Sequence, residues 1–324
     1  MVAVMTTTSA LSRKDRRDHL LARLGYRRME HMVTPGLYLL GTPLPTSPVF
    51  VSANYTLSFD ALRSSLAGMD AFILVLDTNG INVWCAAGKG TFGTEELIRK
   101  VEETNLRDHV SHRTLILPQL GAPGVSAHEV KKATGFTVEY GPVRAEDIPS
   151  YMRSGIAPGM RKVTFPLRDR VVLVPVEVRN TFLPMVLATV SLLLLGGVVP
   201  ALIALTAVMV GAALFPLLLP LLPTKDFTSK GLVLGALASV PFAWYYLASG
   251  GPLWASLLNA SGTILLVAAV VAYLGLNFTG CSTYASRTGV RREIFRYIPV
   301  LVAMVVLGLA AVTLTVTGTM MGWY

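Results

Sequence analysis

Residues 71–94 read Ala71-Phe72-Ile73-Leu74-Val75-Leu76-Asp77-Thr78-Asn79-Gly80-Ile81-Asn82-Val83-Trp84-Cys85-Ala86-Ala87-Gly88-Lys89-Gly90-Thr91-Phe92-Gly93-Thr94. The apolar run Ala71 to Leu76 has strand length and meets Asp77-Thr78-Asn79-Gly80 at once, which predicts a buried strand ending in a turn. Ile81 to Ala87 fits further strand or a short helix equally well, because its periodicity does not decide. Glu95 to Thr104 predicts a helix with Thr94 as N-cap. Its acids Glu95 and Glu96 fall in the first turn and Arg99 and Lys100 near the end, as the helix dipole favours. Downstream follow a strand at Thr114 to Leu117, a loop at Gly121-Ala122-Pro123-Gly124, a helix from Ser126 to about Thr134 and a strand at Thr137 to Tyr140. Upstream, Pro35, Pro43, Pro45 and Pro48 make residues 34–48 an extended entry segment, and Ser52, Thr56 and Ser58 alternate as on a strand. Val171 to Val178 reads as a last strand. Strand-helix-strand alternation implies an α/β domain with a largely parallel sheet.

Charge divides the chain. Residues 1–180 hold 22 of the 28 Lys and Arg and 17 of the 19 Asp and Glu, leaving eight charges for the last 144 residues. Those eight separate charge-free runs at Thr181–Thr224, Gly231–Ser286 and Tyr297–Tyr324. A membrane span needs about 20 apolar residues, so the runs hold two, two and one spans. The expected organisation is a basic arm (1–33), a cytoplasmic α/β domain (34–180) and an all-α membrane domain (181–324). Its five transmembrane helices are expected near 181–199, 200–222, 231–249, 253–276 and 298–318. Lys225, Lys230, Arg287, Arg291, Arg292 and Arg296 occupy alternate loops, which by the retention of cations inside predicts a multi-pass protein of the cytoplasmic membrane with the α/β domain inside and the C-terminus outside. Trp244, Tyr245, Tyr246, Trp254, Trp323 and Tyr324 would then mark the outer boundary. No charge is expected within the bilayer, which argues against an ion-coupled transporter.

The arm carries Arg13, Lys14, Arg16, Arg17, Arg23, Arg27 and Arg28 without an apolar core, so it is not a secretory signal. It is expected to be solvated and partly frayed, with attraction to anionic lipid as the alternative. No basic stripe interleaved with aromatics follows, which leaves nucleic-acid binding unsupported.

Only two cysteines occur, Cys85 and Cys281, so neither a disulfide framework nor an iron-sulfur cluster held by this chain is expected. Gly88-Lys89-Gly90-Thr91-Phe92-Gly93 matches G-x-G-x-x-G at the mouth of a helix, the context of a dinucleotide site. Such a site also needs an acid at the end of the next strand, and Leu115-Ile116-Leu117-Pro118-Gln119 offers none. A P-loop fails too, because Gly90 follows Lys89. Cys85 would by default be a buried small hydrophobe. Trp84 on one side, two alanines on the other and Lys89 four residues on describe instead a sparsely covered thiol near a cation, conditions that favour a thiolate.

The eight residues Asn82, Val83, Trp84, Cys85, Ala86, Ala87, Gly88 and Lys89 resemble the N-[VI]-W-C-A-[AG]-G-K signature of the HgcA family, membrane-anchored corrinoid proteins of microbial mercury methylation. Asn277 to Cys281 and Gly289 to Glu293 are similar to a second segment of that family. The resemblance implies a Rossmann-like corrinoid-binding α/β domain, akin to the corrinoid iron-sulfur proteins of the acetyl-CoA pathway, followed by five membrane helices. It further implies that the signature caps a corrinoid (cobalamin) and that Cys85 is the axial cobalt ligand. The activity implied is a cobalamin-dependent methyltransferase acting on Hg(II). The implied partners are a ferredoxin-like iron-sulfur protein (HgcB) as reductant and Hg(II) donor, and a methyl-pterin or its corrinoid enzyme as methyl donor. A soft thiolate opposite the methyl group suits its departure toward an electrophile. A D-x-H-x-x-G corrinoid motif is missing, since Asp108-His109 and His128-Glu129 have the wrong spacing. Two other readings share the architecture: a corrinoid methyl carrier of one-carbon metabolism with a non-mercury acceptor, and a membrane-tethered binding or sensory module.

The remaining polar candidates read as structural. His109, His112 and His128 are expected at the surface or at helix ends. Asn259, Ser261 and Thr263 are candidates for interhelical hydrogen bonds. Asn54-Tyr55-Thr56 and Asn277-Phe278-Thr279 match a glycosylation pattern but face the cytoplasm in this topology and are set aside, and Cys281 is expected to be inert.

Overall fold

A computed structural model of the chain describes residues 4–27, 30–279 and 287–323. It divides into two compact units, Met1–Thr164 and Phe165–Tyr324.

In the first unit six strands form one mixed sheet: β1 (Met5–Thr7), β2 (Gly36–Leu40), β3 (Val49–Ala53), β4 (Ala71–Leu76), β5 (Thr114–Leu117) and β6 (Thr137–Tyr140). Their order is β1-β2-β4-β3-β5-β6. β4 is buried at every position. Phe72, Leu74 and Leu76 join Val49, Val51, Leu115 and Leu117 on one face, and Ala71, Ile73 and Val75 join Phe50 and Ile116 on the other. An unbroken apolar run, rather than an alternating one, is what a strand covered on both faces requires. All pairings are parallel except β2 with β4.

Among the described residues seven α-helices accompany the sheet: α1 (Arg13–Arg23), α2 (Thr56–Ser65), α3 (Val83–Lys89), α4 (Thr94–Glu103), α5 (Leu106–His109), α6 (Ala127–Thr134) and α7 (Ile148–Ser154). α2 covers one face through Phe59 and Leu62. α4 and α6 cover the other through Leu97, Val101 and Val130. In α4, Leu97 and Val101 share the inward stripe, while Arg99 bridges Glu96 and Glu103 on the exposed side.

Several expectations are corrected. The residues at 81–87, left open between strand and helix, begin α3. Gly93, not Thr94, caps α4, and the Thr94 hydroxyl instead accepts the Ser126 N–H at 2.8 Å. Strand β3 ends at Ala53, so only Ser52 of the alternating trio is on it, and Thr56 and Ser58 lie on α2. The entry segment contains β2. The basic arm is folded: β1 pairs with β2, and α1 opens with a reciprocal capping box between Ser12 and Asp15. Buried Arg63 explains the ordering. Its Nε donates to Asp60 at 2.6 Å, Nη1 to the Thr8 and Ala10 carbonyls at 2.7 and 2.9 Å, and Nη2 to Asp15 at 2.9 Å. His19 meets the other Asp60 oxygen at 2.6 Å.

The second unit starts earlier than expected. Val171 to Val178 is not a strand but the beginning of α8 (Leu167–Gly196), which carries its apolar run through in one continuous helix. There follow α9 (Val198–Met209), a π turn (Val210–Leu214), α10 (Phe215–Leu218), α11 (Phe227–Ala248), α12 (Leu253–Phe278) and α13 (Arg287–Met320). Among the described residues five helices are long and apolar enough to cross a membrane: 167–196, 198–218, 227–248, 253–278 and 288–320. Small residues set their packing. A Cβ on Gly231 would lie 2.5 Å from Ala272 Cα, and one on Gly235 2.6 Å from Ala268 Cα, so α11 and α12 touch backbone to backbone. The Thr315 hydroxyl donates to Asn259 at 2.8 Å across α12 and α13, the one expected interhelical bond of the three candidates seen among the described residues. Buried Glu293 accepts from both the N–H and the hydroxyl of Thr228, satisfying the first turn of α11. Tyr324, Cys281 and part of the segment from Asn277 to Glu293 lie outside the described residues.

Two outcomes follow. Arg63→Met takes the guanidinium from both Asp60 and Asp15, leaving Asp60 to His19 and Asp15 to the Ser12 cap, at a cost of about 3 kcal/mol, and amide exchange across α1 should accelerate accordingly. In the unaltered protein burial pushes the Asp15 carboxyl up, but hydrogen bonds from Ser12 and the Arg63 guanidinium outweigh it and hold it below its ordinary value. Stability from a carboxyl depressed on folding is present above its unfolded pKa and lost as pH falls through the folded one, so α1 should loosen in acid. Arg63→Met should blunt that acid dependence. In the membrane unit, Gly235→Leu must force α11 off α12 and should lower the detergent melting temperature by several degrees, roughly that of a 1–3 kcal/mol overpacking defect.

Candidate functional site

Strands β3, β4, β5 and β6 run parallel, so their carboxyl ends share one edge of the sheet. The chain passes from β3 to β4, then back across β3 to β5. The connection leaving β3 enters α2 on one face, and that leaving β5 leads to α6 on the other. Adjacent loops that part in opposite directions open a crevice at the strand ends, where ligands of such sheets bind. The stretch 77–93 lies at this edge.

Asn54, the residue after β3, is 3% exposed and organises the loop that leads to α3. Its Oδ1 accepts the Thr78 N–H (3.0 Å), the Gly80 N–H (3.0 Å) and the Thr78 hydroxyl (2.8 Å). Its Nδ2 donates to Asp77 at 3.3 Å, and the Asp77 N–H donates to Glu96 of α4 at 2.7 Å. Asn79 and Gly80 both take left-handed backbone conformations, φ 54° and 67°, which reverse the chain toward α3. Asn82 then caps the helix, its side-chain oxygen accepting the Cys85 N–H at 2.9 Å. At the other end Gly90, φ 88°, lets the Thr91 N–H fold back onto the Ala86 carbonyl at 3.0 Å. Seven helical residues are thus closed at both ends by their own sequence.

α3 has two unlike sides. Ala86 and Ala87 face the core, over the loop that follows β5. A Cβ on Gly124 would fall 2.2 Å from the Phe92 carbonyl oxygen and 3.0 Å from Ala87 Cα, and one on Gly121 2.5 Å from the Phe92 ring. Cys85, Gly88 and Lys89, at the i, i+3, i+4 spacing, form an outward ridge, with Gly88 and Lys89 exposed and Val83, Trp84 and Cys85 half-buried. A Cβ on Gly88 or Gly90 would meet nothing within 4 Å. The Thr91 hydroxyl is buried without a hydrogen-bond partner among the described residues. Tyr140 supports the β5 loop by donating to the Val125 carbonyl at 2.6 Å, and burial pushes its phenol up.

The eight signature residues therefore fall on α3 and its N-cap, although two of them point inward. Asn54 was overlooked as part of a set-aside sequence pattern. The available signal was an Asn directly after a buried strand, a position where such side chains bond neighbouring backbone. The histidines stand apart: His112 donates from Nε2 to the Ser47 carbonyl at 2.9 Å and accepts the Thr114 N–H at 3.2 Å, and His128 is exposed.

Among the described residues no three His, Cys, Asp or Glu side chains converge. The site thus offers a metal one soft donor, the free thiol of Cys85. Such a donor set fits a metal that brings its other ligands in a macrocycle. Gly88 fits it as well: glycine within a helix costs about 1 kcal/mol against alanine, nothing among the described residues needs the space it leaves, and a flat group laid against the ridge would.

Residues 27–152 match the family described as CO dehydrogenase/acetyl-CoA synthase delta subunit, CdhD. The chain is 35% identical over 122 residues to the acetyl-CoA decarbonylase/synthase complex subunit gamma of Methanopyrus kandleri, 37% of this chain and 26% of that one. It is 31% identical over 128 residues to the subunit gamma of Archaeoglobus fulgidus, covering 39% and 27%. With the corrinoid/iron-sulfur protein large subunit of Moorella thermoacetica it shares 27% over 154 residues, covering 45% and 34%. The chain therefore spans a quarter to a third of the length of these relatives. The family match contains the whole 77–93 stretch, Asn54 and the loop after β5, and ends before α8. Residues 27–152 thus match the CdhD family and are similar to part of the corrinoid/iron-sulfur protein large subunit, on a chain that continues into five membrane-length helices among the described residues.

Proposed function

We propose that this chain is a membrane-anchored, corrinoid-dependent methyltransferase that delivers its methyl group to Hg(II). The observation that carries the reading is the free thiol of Cys85 on the outward ridge of a rigidly held helix at the carboxyl edge of a CdhD-family sheet. A corrinoid, when bound, supplies a metal that can accept a methyl group and give it up. Cys85 is the residue that would hold that metal, and its thiolate would supply a strongly donating sulfur, chemistry that would favour delivery of the methyl group to an electrophile rather than to a nucleophile. Gly88 and Gly90 keep bulk off the ridge, and Lys89 sets a cation beside it. Asn82 fixes the backbone of Cys85, and Asn54 fixes the loop from which α3 starts, so both are positioning residues. Ala86 and Ala87 seat the helix by being small. This chain's two cysteines cannot hold a cluster of their own, so reducing equivalents would come from a separate iron-sulfur protein, which the resemblance makes ferredoxin-like and able to present Hg(II). The methyl donor in this reading is a methyl-pterin or the corrinoid enzyme that carries its methyl.

A second reading is favoured by the relatives' names: a methyl carrier for acetyl-CoA synthesis, with an acceptor other than mercury. Methylated, corrinoid-loaded protein offered Hg(II) separates the two. Methylmercury forms under the first reading, whereas transfer only to a non-mercury acceptor supports the second.

Cys85→Ala should abolish methylmercury formation and remove the sulfur-to-cobalt absorption band from the cobalamin-reconstituted protein. Unchanged spectra in that variant would sink the ligand assignment. Asn54→Leu leaves buried Thr78 and Gly80 donors unpaired, so transfer should fall about tenfold or more, with faster amide exchange over residues 77–89 and unchanged exchange in β6.

A further inference from the structure

The arm that opens the chain has sorted its charges. On α1, Arg13, Lys14, Arg16, Arg17 and Arg23 are exposed, and none of the five takes part in an ion pair among the described residues. The acids of the same helix point the other way. Asp15 is bound by Arg63 at 2.9 Å and Asp18 by buried His31 at 2.7 Å, while His19 turns in to Asp60. Ala22 is the inward contact, 5% exposed. The outer face therefore carries cations without the acids that sequence intersperses among them. Among the cations stand two large apolar side chains, Leu20 at 58% and Leu24 at 40% exposed. Arg13, Arg16, Arg17, Leu20 and Leu24 follow the spacing of a single helix face.

Cations framing an apolar ridge match the chemistry of an anionic bilayer surface: lysine and arginine reach the headgroup phosphates while leucine enters the acyl boundary. A bilayer is also at hand. The unit that carries α1 is joined without a break to five membrane-length helices, so the surface is present at the high effective concentration of a tethered partner, and a weak contact suffices. We propose that the outward face of α1 docks on anionic lipid headgroups and so orients the sheet domain on its own membrane. α1 accompanies α2 through the Asp60 and Arg63 bonds, whereas α3 packs in the opposite layer. Docking through α1 leaves the Cys85 ridge open to soluble partners. The inference goes beyond the proposed methyl transfer and holds with or without a corrinoid.

The test uses the full chain in lipid nanodiscs of phosphatidylcholine, and in discs where part of it is replaced by phosphatidylglycerol. Amide exchange over Arg13–Arg23 should slow about tenfold in the anionic discs, the effect of one to two well-placed cations, while exchange in α4 stays the same. The slowing should vanish in Arg16→Glu/Arg17→Glu/Arg23→Glu and at high salt, persist when the three are changed to lysine, and weaken in Leu20→Ser. Equal exchange in both kinds of disc overturns the proposal, as does slowing that survives charge reversal. Slowing produced in neutral discs by a short RNA duplex, but not by phosphatidylglycerol, also overturns it and assigns the face to nucleic acid.

Discussion

Three hydrogen bonds converge on one side-chain oxygen, that of Asn54, and the geometry of the candidate site depends on them. The oxygen binds the N–H and hydroxyl of Thr78 and the N–H of Gly80, so the turn after β4 is measured from the end of β3. The Asn54 backbone is engaged too, donating to the Leu76 carbonyl and accepting the Val33 N–H. One residue thereby couples the end of the arm, two neighbouring strands and the start of α3. The bonds are buried, where an unmade hydrogen bond costs most, and this makes the placement of Cys85 a property of the sheet rather than of a surface loop.

Much of this was legible because the signals were local. β4, β5 and β6 have the bounds their apolar runs and flanking turns predict, and α4 and α6 shift by a single residue at their starts. The eight signature residues are consecutive in sequence and therefore come together as one helix and its N-cap. What escaped was non-local. The arm reads as solvated because its cations outnumber its acids, and only the folded chain brings Arg63 from α2, and His31 from the far end of the arm itself, to collect those acids. Val171 to Val178 has the β-branched content of a strand, yet it is the first part of a helix thirty residues long, and continuity with the apolar run beyond it outweighed local propensity. Asn54 has no helper within twenty residues, so nothing nearby marked it.

In the second unit three charged side chains serve helix ends. Arg170 donates to the Phe165, Pro216 and Leu217 carbonyls, Lys230 to those of Leu219 and Leu222 at 3.0 and 2.6 Å, and Glu293 takes the donors at the start of α11. Backbone groups left over where helices stop cannot turn to water inside lipid, so a side chain must meet them. These buried contacts lie at the margins of the charge-free runs, where the sequence alone showed no sign of them.

The π turn at Val210–Leu214 has a consequence for how this unit could have evolved. A π turn holds one residue more than an α-helical turn and commonly behaves as an absorbed insertion. Here it precedes Pro216, whose ring would otherwise press on the preceding turn, and it aims Phe215 into the group of rings formed with Phe227 and Phe278. Excision of one residue between 210 and 214 would restore an ordinary helix and swing Phe215 by about 100° around the axis. The aromatic cluster at that end of the bundle is therefore set by residue count as much as by residue identity, and a lineage that lost the extra residue would have to rebuild the cluster.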